Sequence, residues 1–596
     1  MKMFGRKLKM KHSLFRKALS VMLCAILVAL CIVPAFAADQ KATYPVLFVE
    51  GFNGSPLYKG GNQKVFMPEA QDLTGVVTTL VPALLKFAAA KNVAKLSGDI
   101  DGQAQAYDDF ISAIVSAVDS VYSKIACDEH GNSIADDIDV LPTDAFGSGA
   151  EVGNSNIQEA VIPKAAEVLG NDMVYYFTYD WRMSLIDTAA KLNDAVKEIK
   201  RLTGADKVSL MGMSMGGALI NTYTTIYGYG DICNLTMSSS AFKGLQYIGE
   251  IFTGHMDLDG ELLGGLIDDF LSEDVSLSEL LKYSNVLNTL IDDMNEAFAY
   301  DQQGTKVLGA DDNSATEPKN RIREEILIPY FATTPGMWTF VPEEYFNDAI
   351  KYVFVDTGRT LSSADLILKL TEFHAIQQNV QNNLQSAMNN GVTVTIVSHY
   401  NVHVAPVTPK AKSMTGDVTI ETVGTSGGAT CAPIGESFPD DYTQAKYPDK
   451  DYMSPDRMID ASTCMFPDQT WFIKNMKHME FDMDGNNCDL FIWLVTATEQ
   501  YTVETDDLYP QFLFYDRELK RLSCFYTPGD VNYDEDISLA DVRHAMRLTK
   551  GLDKTNANLE APADMNRNSA VDDDDAQTIL DKVVALQVEK YAPAAE

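Results

Sequence analysis

The chain has 596 residues, with 47 lysines and arginines against 84 aspartates and glutamates, and a net charge of −37. That length predicts more than one domain. So acidic a surface repels phosphate backbones, which excludes nucleic acid as a partner, and suits an extracellular protein that binds calcium.

Residues 1–37 read as a secretory signal peptide rather than as fold. Lys2, Arg6, Lys7, Lys9, Lys11, Arg16 and Lys17 form a basic start, Ala18 to Val33 an apolar run, and Ala35-Phe36-Ala37 a cleavage site. No later stretch is long and apolar enough to cross a bilayer, so no transmembrane span is expected after its removal. Two of the eight cysteines lie in this segment. The other six match no zinc spacing. Export permits disulfides, and Cys431 with Cys464, flanking a polar excursion, is the pair expected to staple it.

From Tyr44 the predicted elements run in order. A strand, Tyr44 to Glu50, ends in the loop Gly51-Phe52-Asn53-Gly54-Ser55-Pro56. A long, mostly helical insertion follows to about Leu169. A strand from Met173 to Tyr179 ends in Asp180-Trp181-Arg182. Leu185, Ala189, Leu192, Val196 and Ile199 repeat at helical spacing and predict a helix from Leu185 to Thr203. Next come the strand Lys207 to Met211, a glycine-flanked turn, the helix Met215 to Tyr227 and the strand Cys233 to Ser238. Between Gly244 and about Asn390 the pattern is helical, as at Glu261 to Leu271, and reads as a cap. Strands return at Val392 to Val397 and at Trp471 to Lys474. Strands alternating with helices predict an α/β domain over residues 38–522, with a mostly parallel sheet covered on both faces.

The turn Gly212-Met213-Ser214-Met215-Gly216 is a G-x-S-x-G pattern between a strand and a helix. Glycines two positions either side of the serine relieve collisions in so tight a turn, and the helix behind it aims N–H groups at developing negative charge. A serine nucleophile needs a base. His478, in the loop after Trp471 to Lys474, is the favoured one, with His399 and His403 as rivals. The acid belongs between serine and histidine in chain order. Asp417 is the choice, with Asp440, Asp441, Asp449 and Asp451 as alternatives.

Together these residues resemble the lecithin:cholesterol acyltransferase-like branch of the α/β-hydrolases. Val49 to Leu57 is similar to that family's P-G-x-x-G-x-x-L oxyanion loop, with Glu50 in place of the proline. Tyr179-Asp180-Trp181-Arg182 matches its Y-D-W-R segment, and Gly212 to Gly216 its G-H-S-x-G, with Met213 for the histidine. Thr334-Pro335-Gly336-Met337-Trp338 resembles a stretch of its cap, and Gly416-Asp417-Val418-Thr419-Ile420 its G-D-x-T-V. The resemblance implies an α/β-hydrolase fold with a helical cap acting on lipid esters. Ser214 would be nucleophile, His478 base and Asp417 its orienting acid, with the backbone N–H groups of Phe52 and Met215 as oxyanion donors. Asp180, Trp181 and Arg182 would support the site.

The C-terminal stretch repeats itself. Asp530, Asn532, Asp534, Ser538 and Asp541 occupy positions 1, 3, 5, 9 and 12 of one loop. Asp564, Asn566, Asn568, Asp572 and Asp575 do so in the next, and Asp536 and Ala570 supply carbonyls at position 7. Oxygen donors at that spacing suit calcium, a hard cation. Each loop leads into a helical run, Val542 to Thr549 and Ala576 to Leu586. The pair resembles a type I dockerin over 526–590, which implies two calcium ions and a cohesin partner. Position 6 departs from that pattern, with Glu535 and Ser569 in place of glycine. A dockerin also points toward acyl esters of plant cell-wall polysaccharide as substrate, and a non-catalytic scaffold component is a third reading.

Overall fold

The protein is described from a computed structural model. It covers residues 43–52, 54–66, 96–140, 146–148, 160–255, 318–405, 407–480, 487–517, 519–532, 536–553, 560–568 and 570–591, with scattered positions between 83 and 93. The expected signal peptide, the helix at Glu261 to Leu271, and Asp534, Glu535 and Ser569 of the loops lie outside them. Residues from Tyr44 to Glu596 form one compact unit.

The frame is a nine-stranded α/β sheet. Its strands are β1 (Val46–Val49), β2 (Phe146–Ser148), β3 (Val174–Phe177), β4 (Val208–Met213), β5 (Ile232–Ser238), β6 (Thr393–Tyr400), β7 (Thr470–Lys474), β8 (Phe512–Asp516) and β9 (Arg521–Cys524). They lie in the order β9-β8-β7-β6-β5-β4-β1-β3-β2. Every pair from β3 to β8 is parallel, and the edge strands β2 and β9 are antiparallel to their neighbours. The parallel strands need apolar residues on both faces. In β1, Leu47 and Val49 enter one core cluster while Val46 and Phe48 enter the other. The first face packs against α2 (Leu185–Thr203) and α3 (Met215–Tyr227), the second against α1 (Val161–Leu169) and α5 (Asp489–Val495). Ser184 caps α2 by accepting from the Ile186 N–H, and Gly204 ends it in the left-handed conformation.

Helices α2 and α3 have the predicted bounds. The insertion before Leu169 does not stay helical. It contains a helix at Ile100–Tyr122, but also β2 and a small antiparallel sheet of Leu57–Lys59, Gln63–Phe66 and Ile138–Val140. Strands of three or four residues carry too little alternation to register as a period. Strands β8 and β9 were also not predicted, and the expected domain end at residue 522 falls inside β9. The described parts of the cap are helical. Trp338 anchors them, with rings of Phe252, Phe346 and Phe354 at 5.1, 5.9 and 5.8 Å. Among the described residues no helix is long and apolar enough to cross a membrane.

The expected staple of the polar excursion is not a disulfide: Cys431 and Cys464 are free thiols. Hydrogen bonds close it one residue earlier. The Thr430 N–H donates to Thr463 Oγ1 at 2.7 Å, and Cys431 pairs with Ile459 in a short antiparallel ladder.

The C-terminal module has its own small core of Val531, Val542, Ala545, Ala563, Ala576, Ile579 and Val583. It is built on α6 (Leu539–Thr549) and α7 (Asp573–Tyr591), both starting three residues ahead of prediction because loop residues cap them. Ser538 and Asp541 form a capping box on α6.

Candidate functional site

Ser214 lies between β4 and α3 with φ 53° and ψ −122°, a conformation that is strained for any residue with a Cβ. The two flanking glycines make it possible. A Cβ on Gly212 would come within 2.8 Å of the Gly216 carbonyl, and one on Gly216 would overlap the Val49 and Glu50 carbonyl oxygens. Backbone bonds hold the turn: the Ser214 N–H donates to the Ser238 carbonyl at 3.1 Å, and Ala241 and Gly217 donate to the Ser214 carbonyl at 2.9 and 3.1 Å.

The loop after β1 passes directly over this serine. A Cβ on Gly51 would sit 2.7 Å from Ser214 Cβ and 3.3 Å from its Oγ. That brings the loop carrying Phe52 close to Ser214, and Met215 opens α3, where the first N–H groups have no acceptor within the helix. The loop is braced from below. Ser55 Oγ donates to the Glu50 carboxylate, and Tyr179 Oη donates to the Glu50 carbonyl at 3.0 Å. The Phe52 ring packs edge-on against Trp181 at 4.6 Å and Phe340 at 5.5 Å.

Asp180 and Arg182 form a buried bidentate pair at 2.9 and 2.6 Å. Arg182 also donates to the Ile125 carbonyl and to Ser133 Oγ at 2.8 and 3.1 Å. They tie the insertion to the end of β3, which is bracing rather than chemistry. The Gly336 N–H donates to the Arg182 carbonyl at 2.9 Å and brings the cap segment onto the same corner.

His478 and Asp417, 61 positions apart in sequence, meet: Nδ1 is 2.7 Å from Oδ2, and the His478 N–H donates to the Asp417 carbonyl at 2.8 Å. The positive φ of Asn475 turns the chain out of β7, and that of Val418 folds the acid loop back. The second carboxylate oxygen of Asp417 accepts from the Thr419 and Ile420 N–H groups at 3.0 and 2.7 Å. Burial pushes the Asp417 carboxyl up, but the charge and hydrogen bond of His478 outweigh it and hold it below the usual carboxylate range. The rival acids Asp440, Asp441, Asp449 and Asp451 are all exposed.

Of the rival bases, His403 sits on a two-residue ladder, opposite Thr415. His399, at the end of β6, is fully buried. Its Nδ1 lies 3.3 Å from Ser239 Oγ, between the elbow and the acid. Burial pushes it down to about 4, so it stays neutral above that pH. In sequence it reads as a residue after the strand Val392 to Val397; the structure extends that strand to Tyr400 and so places His399 inside the sheet.

Glu421 has no sequence signal beyond its closeness to Asp417. It is 1% exposed, and Oε1 accepts from the Gln246 N–H at 2.6 Å, at the start of α4 (Gln246–Phe252); Oε2 has no hydrogen-bond partner among the described residues. Burial pushes its carboxyl up to about 7. The folded protein therefore binds this proton more tightly than the unfolded chain. The stability so gained is full below about 4.5 and is lost as pH rises through about 7. Glutamine cannot ionise, so Glu421→Gln avoids the cost of burying the carboxylate at high pH and should stabilise the protein by up to about 3 kcal/mol at pH 8, with little effect at pH 4. Unfolding midpoints at the two pH values measure this, and equal shifts at both would refute the assignment.

In the C-terminal module both loops curl around their twelfth residue. Asp541 Oδ1 accepts from the Val531 and Asn532 N–H groups at 2.8 and 3.1 Å, and Oδ2 from Ser538 N–H at 2.8 Å. Asp575 repeats this with Met565, Asn566 and Asp572 at 2.9, 3.2 and 3.0 Å. Asp530, Asp541, Asp564 and Asp575 are each 5% exposed or less. Among the described residues no three His, Cys, Asp or Glu side chains converge as a cage. Calcium loops of this type also draw on Asn and Ser side chains and on carbonyls such as those of Asp536 and Ala570, so the oxygen-only donor set fits calcium.

No family model matches the chain, and no curated protein matches it. Among solved structures, a chain from the crystal structure of the Tle4-Tli4 complex is similar at 12% identity and a TM-score of 0.26, covering 64% of this chain and 89% of that one.

Proposed function

We propose that this protein is a secreted serine acyl-ester hydrolase or acyltransferase of the α/β-hydrolase fold, with Ser214, His478 and Asp417 as its triad. The observation that carries the reading is the 2.7 Å pairing of His478 Nδ1 with Asp417, in a chain that also holds a strained serine in the turn after β4. Ser214 Oγ attacks the ester carbonyl carbon while His478 Nε2 takes its proton. The carbonyl oxygen gains charge and is held by the Phe52 and Met215 N–H groups. His478 then protonates the departing alcohol, leaving an acyl-serine. Water or a second alcohol, deprotonated by His478, releases the acyl group. Asp417 keeps the proton on Nδ1, so that Nε2 is free to accept.

The resemblance of the site residues favours lipid esters. The duplicated loops favour acyl esters on polysaccharide within a cohesin-bearing assembly. In that module calcium would be held by Asp530, Asn532, Asp534, Asp536, Ser538 and Asp541, and by Asp564, Asn566, Asn568, Ala570, Asp572 and Asp575. It would neutralise the buried carboxylates and stiffen the two loops.

Turnover of p-nitrophenyl esters of increasing chain length, beside phospholipid and acetylxylan, separates the two substrate classes. In the same assay Asp417→Asn should keep the fold and lower the rate by about 10⁴, because the wrong imidazole tautomer then faces the serine. No ester turnover by the unaltered protein, or an Asp417→Asn rate equal to it, would remove the catalytic reading.

A further inference from the structure

The second loop is gripped by the edge of the catalytic sheet. Asp516 and Arg521 face each other as the last cross-strand pair of the β8–β9 hairpin. Each also reaches the module. Arg521 Nη1 donates to Asp564 Oδ2 at 3.3 Å, and Arg567 of the loop donates to Asp516 at 2.8 and 3.0 Å. Two reciprocal ion pairs thus join the hairpin to the module, each side supplying one carboxylate and one guanidinium group. The Arg521–Asp564 pair is buried, with side chains 9% and 0% exposed. Among the described residues Arg521 Nε and Nη2 have no hydrogen-bond partner. Glu560 also feels the charge: burial raises its carboxyl, and Arg521 acts to lower it.

Asp564 is the first position of the second loop. A buried guanidinium is therefore aimed at an oxygen that calcium needs. A buried cation with unmet donors stays where it is only because anions surround it.

We propose that Arg521 is the resident counter-cation of the second loop, so that calcium binding there and docking of the module on the sheet edge oppose one another. This rests on the reading of the loops as calcium sites. An arriving dication must share Asp564 with the guanidinium or displace it, and the two cations repel across a few ångströms. Displacement frees the β8–β9 hairpin from the loop. Linkage makes the effect reciprocal: whatever docking takes from calcium affinity, calcium takes from docking.

The test is a calorimetric calcium titration of the full, chelator-stripped protein. Arg521→Met keeps the aliphatic stem and removes the charge. It should raise one of the two calcium affinities by about tenfold, the size of a screened interaction between close charges, and leave the other unchanged. Arg521→Lys keeps the charge and should behave like the unaltered protein. Should Arg521→Met fail to fold, hydrogen exchange of the unaltered protein decides the matter: calcium should speed exchange in residues 512–524. Unchanged or weakened calcium affinity in Arg521→Met, or slower exchange there on adding calcium, overturns the proposal and leaves the calcium reading standing. No calcium binding at either loop removes the reading beneath it.

Discussion

Ser214→Ala lowers ester turnover by about 10⁶ and abolishes covalent labelling by a fluorophosphonate probe, while the protein folds normally. The size follows from what the residue does. Without its oxygen no acyl-enzyme forms, and only the oxyanion donors and substrate binding remain to help water. The fold should survive. The Ser214 backbone bonds to Ser238, Ala241 and Gly217 do not use the side chain, and alanine only exchanges a hydroxyl for hydrogen in a site 5% exposed. The strained φ of 53° stays, because its source is the close approach of Gly216 to β1. Ester turnover that persists undiminished in Ser214→Ala would place the chemistry elsewhere or nowhere. Labelling that persists with turnover lost would mean a second reactive serine.

His478→Ala should cost about as much, near 10⁶, since a serine and its base act as one unit. The side chain is 12% exposed, so the fold of the variant is checked by its unfolding midpoint beside the rate. The rival is informative because it sits so near. His399 is fully buried with Ser239 at 3.3 Å, and its deep burial makes it a weak base. His399→Gln should disturb stability more than turnover. A rate fall of many orders in His399→Gln, with His478→Ala near the unaltered rate, would move the base onto β6. Rates measured at saturating and at low substrate separate lost chemistry from lost binding.

Much of the central frame was legible because its signals are local. Helices α2 and α3 carry their own period and stops, so their bounds matched prediction. The elbow was legible because glycines at two fixed offsets answer a collision within five residues. Strand β7 announced itself as an apolar run. Strands β2, β8 and β9 did not: each lies at or beside an edge of the sheet, where pairing with a neighbour rather than internal pattern makes the strand. The disulfide expected between Cys431 and Cys464 failed for a related reason. Flanking a loop says that two residues approach, but threonine hydroxyls one position earlier already close it.

By itself the sequence determined the parallel α/β frame, the tight turn at Ser214 and the two repeating oxygen-donor loops, because each follows from contacts made within a few residues or from a period along one element. Tertiary structure alone decided which acid meets His478, what Arg182 braces, and that Arg521 reaches Asp564. Those partners lie 61, 57 and 43 positions apart. Nothing in the spacing of a chain specifies which carboxylate arrives at a given imidazole or guanidinium. That is set by the order of the strands and the register between them, which bring loops from distant segments to the same end of one sheet.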